Sequence, residues 1–225
     1  MSEEVIPPTI VYVDENEDAR EDFYIDARKS GLFHEVIILA PEPSLEDMVN
    51  ELLQIKFEAL ISDFRLADAS PADYDGNQLV EAFLRVRSGF PCFIRTSYDN
   101  EALHAADDVN RVYSKEVDAD GGLHRPLFER INLQILRHRR QVSDWSEELE
   151  QLLAVDRSSL VAHQIDRIVE LDALLEAQMG ADHAVAQTAK KSLLDGNLYQ
   201  RQSELLAATE DLIAEIRHNL RQGKL

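Results

Sequence analysis

Residues 59–63 read Ala-Leu-Ile-Ser-Asp, a short run suited to a buried strand that stops on an acid. The same texture recurs on both sides of it. Thr9–Val13, Glu35–Ala40, Ala59–Ser62, Cys92–Arg95 and Arg111–Ser114 are rich in Val, Ile, Phe and Tyr, and turn residues bound most of them. Asp18–Lys29, Ser44–Ile55, Gly76–Val86 and Asn100–Val109 lie between these runs and have helical spacing. Leu45, Met48, Leu52 and Leu53 share one face, and Ser44 with Asp47 predicts a helix start. Five strands, each separated by a helix, predict a parallel sheet covered on both faces: an α/β, flavodoxin-like doubly wound (βα)5 fold. The fully apolar run Val36–Leu39 suits a strand buried on both sides.

In open parallel sheets the functional crevice lies at the carboxyl ends of the strands. Four of the five ends carry reactive side chains: Asp14-Glu15, Asp63, Thr96-Ser97 and Lys115. Close carboxylates repel one another and form a site for a hard divalent cation such as Mg2+, which prefers a few carboxylate oxygens plus water and phosphate. A carboxylate there can attack phosphorus and form an acyl phosphate. An ammonium and a hydroxyl can then hold the phosphoryl oxygens.

Val-Asp14-Glu15, Ile-Ser-Asp63, Arg-Thr96-Ser97 and Ser-Lys115, in this order over residues 8–125, resemble the receiver domain of two-component response regulators. The resemblance implies that Asp63 is the phosphoacceptor. It implies that Asp14, Glu15, Asp63 and the backbone carbonyl of Arg65 bind Mg2+. Thr96 is then the switch hydroxyl and Lys115 the lysine that pairs with the phosphoryl group. The implied donor is a phosphohistidine on a sensor histidine kinase, and the only enzymatic activity implied is the receiver's own phosphoryl uptake and slow hydrolysis. Two positions depart from the family pattern. Glu116 follows Lys115 where proline is usual, and Val112 stands at the switch-aromatic position with Tyr113 beside it. The stretch after Asp63, up to Gly76, is longer than usual and holds Asp68, Asp73 and Asp75; it reads as an acidic loop that touches the kinase or screens Asp63 from water.

From Pro126 onward there is no strand signal. Phe128, Ile131, Ile135, His138, Val142, Trp145, Leu149 and Leu152 follow at steps of three and four, which predicts a coiled-coil seam with His138 as a polar register mark. A second helix is expected after Asp156, running to Met179 with Val161, Ile165, Ile168, Leu171 and Leu175 as its stripe; a third starts near Asp182 and resumes from Asn197 to about Leu220. The expected division is a receiver over 1–125 and a helical dimerisation or partner-binding region over 126–225, with Gly121-Gly122 as the linker. The helix from Pro126 is equally readable as the last covering helix of the sheet, extended.

Charge narrows the possible partners. The net charge is −20, with 27 acidic against 11 basic residues in 1–125 and 16 against 12 in 126–225. Nucleic acid phosphates repel such a chain, and Arg137, Arg139 and Arg140 form too short a cluster to reverse that. No helix-turn-helix or output-enzyme signature is present. The expected output is therefore a contact with a downstream protein, with homodimerisation through the seam. The alternatives are a phosphate sink or relay that drains a kinase, and a coiled-coil adaptor with an inert receiver. No apolar run is long enough for a membrane span and no signal peptide is visible; with one cysteine, Cys92, the expected location is the cytoplasm.

Overall fold

Strands alternate their side chains between two faces, and β1 (Thr9–Val13) shows what that does here. Ile10 and Tyr12 enter one hydrophobic cluster, while Val11 and Val13 enter another. The computed structural model describes residues 6–97, 99–105, 108–115, 124–155, 159–179 and 198–222. After β1 come α1 (Glu17–Ser30), β2 (Glu35–Leu39), α2 (Leu45–Gln54), β3 (Ala59–Asp63), α3 (Gly76–Val86), β4 (Cys92–Thr96) and α4 (Asp99–Ala105). A 3-10 turn (Val109–Arg111), β5 (Val112–Ser114), α5 (His124–Leu153), α6 (Ala162–Met179) and α7 (Leu198–Arg221) follow. All strand pairs are parallel, in the order β2-β1-β3-β4-β5. That order is the flavodoxin-like doubly wound arrangement.

The chain forms two compact units, 1–138 and 139–225. In the first, α2 and α3 cover one face through Met48, Leu52, Leu79 and Phe83, packed on Val11, Val13 and Leu60. Phe23 and Ala27 of α1, with Leu127, Phe128, Ile131 and Ile135 of α5, cover the other face over Ile10, Tyr12 and Ile61. The start of α5 is thus the sheet's last covering helix, and the compact first unit includes it as far as His138. Cys92 is buried in β4, and burial pushes its thiol up to about 12.

Local signals set the helix ends. Asn16 accepts from the Ala19 amide (3.1 Å) to start α1, and Gly31 ends it in the left-handed region at φ 69°. The Ser44 hydroxyl accepts from the Asp47 amide (3.1 Å), as its sequence predicts. Asp75 and Gln78 form a reciprocal capping box at α3.

The second unit packs Val142 and Leu149 of α5 against Ile168, Leu171 and Leu175 of α6 and Ile213 and Ile216 of α7. Arg167 grips Glu148 with two bonds of 2.8 Å, and Thr209 donates to Asp172 (3.2 Å) inside the unit.

Three expectations are corrected. The seam on α5 is not a free coiled-coil stripe. Phe128, Ile131 and Ile135 are used by the sheet and Val142 and Leu149 by the helical unit, so these seam residues are already buried within the chain. His138 is not a register mark between chains; its ring lies edge-on against Phe90 at 5.6 Å in the first unit. β2 is an edge strand, and Ile38 is 36% exposed, because strand order and not composition decides which strand is flanked. Asp156, Asp182, Asp195-Gly196, Gly121-Gly122 and Glu116 lie outside the described residues.

Candidate functional site

The carboxyl ends of β1, β3, β4 and β5 bring the expected groups together. β1 delivers Asp14 and Glu15, β3 ends on Asp63, β4 ends on Thr96, and Lys115 follows β5. The Lys115 ammonium lies between two acids, 2.6 Å from Asp63 Oδ1 and 2.9 Å from Asp14 Oδ2. Its backbone N–H donates to the Thr96 carbonyl at 2.6 Å, which ties the lysine to the end of β4. Asp14 and Thr96 are fully buried and Asp63 is 5% exposed.

Each acid is held by fixed donors. Asp14 Oδ1 accepts the Asn16 amide (2.8 Å), and Oδ2 accepts the Tyr12 hydroxyl as well as the lysine. Arg20 caps the Asp14 carbonyl at 2.6 Å. Asp63 Oδ2 accepts the Arg65 amide at 2.6 Å. The Arg65 carbonyl, expected as a cation ligand, accepts a long 3.4 Å bond from the Asp68 amide. Its guanidinium turns away to Asp68 (3.2 Å) and Glu101 of α4 (2.5 Å).

The loop that reads as purely acidic is anchored from inside. Leu66, Ala72 and Tyr74 are buried, the Tyr74 hydroxyl donates to the Glu42 carbonyl (2.9 Å), and Asp75 is spent on capping α3. At its end Gly76 is required by close approach. A Cβ there would fall 1.8 Å from the Asp63 carbonyl oxygen, and the Gly76 amide donates to the Phe64 carbonyl at 2.8 Å.

The electrostatics follow from burial and crowding. Burial is the main cause that pushes Glu15 up to about 7; a backbone hydrogen bond opposes it, and the Asp14 and Asp63 charges add to it. Burial, then Asp14, pushes the Tyr12 phenol well above its ordinary range, so it is a donor at neutral pH. Burial alone would depress Lys115, but Asp63 and Asp14 outweigh it and keep it charged.

Among the described residues no three acids are spaced to close on one metal ion as they stand, since Lys115 occupies the space between Asp14 and Asp63. The donor set still fits a hard cation. Glu15 Oε2 is buried without a hydrogen-bond partner, and burial, with the Asp14 and Asp63 charges, disfavours its ionised form, which a cation would relieve. Sequence reasoning found Asp14, Glu15, Asp63, Thr96 and Lys115 but missed Tyr12, Asn16, Arg20 and Gly76. Only Tyr12 had a usable signal, since residues two apart on a strand share a face.

Comparison with solved structures finds several similar chains. The chain is similar to a CheY-like response regulator receiver domain protein from Methanospirillum hungatei JF-1, with 22% identity over 59% of this chain and 97% of that one and a TM-score of 0.43. It is also similar to the response regulator StyR (20% identity, 96% and 91% covered, TM-score 0.43). A third is RcsB from Salmonella enterica serovar Typhimurium bound to promoter rprA with phosphomimetic BeF3− (12% identity, 90% and 98% covered, TM-score 0.40). No protein-family model and no curated protein sequence matches the chain.

Proposed function

We propose that this chain is a phosphoacceptor of a two-component relay, with Asp63 as the residue phosphorylated. The observation that carries it is the Lys115 ammonium bound to both Asp63 and Asp14 at the carboxyl end of a 2-1-3-4-5 parallel sheet. In the proposed reaction an Asp63 carboxylate oxygen attacks the phosphorus of a phosphohistidine on a sensor histidine kinase. A P–O bond forms, the P–N bond breaks, and its electron pair stays on the departing imidazole nitrogen. Lys115 and the Thr96 hydroxyl hold the arriving phosphoryl oxygens. Asp14, Glu15, Asp63 and the Arg65 carbonyl would hold Mg2+, which supplies positive charge against the crowded acids and the incoming phosphoryl group. Hydrolysis of the acyl phosphate resets the site.

The output is proposed to be a protein contact in the cytoplasm, carried along α5, which starts in the first unit and ends in the second. The net charge of −20 supports a protein over a nucleic acid as the target. A homodimer would need a face other than the buried seam of α5. Labelling with acetyl phosphate and Mg2+, wild type against Asp63→Ala, tests the core of the reading. An acid-stable, base-labile phosphoryl group on the wild type alone is expected; no uptake from this donor or from any kinase sinks it.

A further inference from the structure

Tyr12 precedes Asp14 by two residues, which on a strand puts both on one face of β1. It is fully buried, and a phenylalanine would fill that volume as well. A hydroxyl taken out of water must have a partner, and here the partner is Asp14 Oδ2. The ring cannot swing away. It stacks on Phe23 (4.0 Å between centroids, 20° between planes), and Phe23 is held edge-on by Phe128 (5.5 Å, 71°) with the Arg95 guanidinium 5.6 Å from its centre.

Lys115 and Tyr12 both donate to Asp14 Oδ2 but differ in one respect. Lys115 is shared with Asp63, whereas the Tyr12 hydroxyl serves Asp14. Once Asp63 carries a phosphoryl group and draws Lys115 to it, Tyr12 and the Asn16 amide still hold the Asp14 carboxylate.

We propose that Tyr12 is a positioning residue of the cation site, whose phenol sets the plane of the Asp14 carboxylate before and after Lys115 is drawn to the phosphoryl group. This rests on the Mg2+-dependent phosphoacceptor reading above. A donor in the second layer of a metal site is worth about 10–100-fold in metal affinity.

Tyr12→Phe in the full chain tests it, because the ring stack survives and only the hydroxyl goes. Mg2+ affinity is measured by calorimetry without a phosphoryl donor, and the rate of acetyl phosphate uptake is followed against Mg2+ concentration. Tyr12→Phe is expected to weaken Mg2+ binding and raise the half-saturating Mg2+ by about 10-fold or more, while the rate at saturating Mg2+ stays within about 2-fold. Phe23→Leu keeps the hydroxyl but frees the ring, and is expected to raise the Mg2+ requirement by a smaller factor; it carries the test if Tyr12→Phe fails to fold. Unchanged Mg2+ dependence in the folded variant overturns the proposal, as does a lower saturating rate at unchanged Mg2+ affinity. A wild type that neither binds Mg2+ nor takes up phosphoryl sinks the phosphoacceptor reading too. A wild type active in both, beside an indistinguishable Tyr12→Phe, sinks only the role of Tyr12.

Discussion

The two units handle charge in opposite ways. The first gathers Asp14, Glu15, Asp63 and Lys115 at one end of its sheet, where burial and mutual repulsion push Glu15 up to about 7. The second spreads charge along helix surfaces in pairs such as Arg167 with Glu148 and Glu170, or Arg217 with Glu150. Its buried Asp172 accepts from Thr209. Crowded like charges cost stability and persist where they serve chemistry, whereas exposed pairs cost and contribute little. The first unit concentrates its charge and the second disperses it.

Substitutions separate the two roles. The largest effect is expected from Asp63→Asn, which should abolish phosphoryl uptake in an acetyl phosphate assay while leaving helical content unchanged by circular dichroism. Persistent uptake on another residue would break the contrast between the units.

Next come the two cores. Phe128→Ala should cost about 3–5 kcal/mol and Leu149→Ala about 2–5 kcal/mol in denaturant unfolding, since each removes a buried side chain from a packed cluster. Only Phe128→Ala should also slow phosphorylation, because it undermines Phe23 and Tyr12.

Lys115→Ala should lower the phosphorylation rate by about 100-fold, read by the same assay, because it removes the charge aimed at the phosphoryl oxygens.

A smaller effect follows from Glu15. Its folded pKa, about 7, lies above the ordinary 4.5, so the folded state takes up the proton more readily than the unfolded one. The stability this confers on the metal-free protein is fully present below pH 4.5 and is lost as pH rises through about 7. Glu15→Gln should flatten that fall, by roughly 1–2 kcal/mol after allowance for solvent screening, in unfolding curves taken across this range. The smallest effect is Arg167→Met in the second unit, under about 1 kcal/mol by thermal melts, because its ion pairs are largely exposed.

Much of the site was legible because its groups stand at strand ends, where a change from apolar to charged residues is visible in one dimension. Asp14, Asp63 and Lys115 are such changes, and the limits of α3 follow from Asp75 and Gly76 in the same way. Tyr12 was hidden because an aromatic inside a strand reads as core, and its hydroxyl shows only once Asp14 is placed beside it. The role of Gly76 depends on the approach of the Asp63 backbone, which no local pattern encodes. Helical spacing located the apolar face of α5 but not what it packs against, since a step of three and four residues looks alike against a sheet, a neighbouring helix or a second chain.

That face has a consequence for how the molecule can be divided. Leu127, Phe128, Ile131 and Ile135 close the sheet, and from Val142 onward the same 30-residue helix builds the other core. A cut after residue 125, where the texture of the sequence changes, would strip the first unit of a covering helix and expose Ile10, Tyr12 and Ile61 to water. The smallest autonomous form of the first unit is therefore expected to reach His138. A fragment ending at His138 carries its own lid with it, whereas one ending at residue 125 leaves the sheet open on one side.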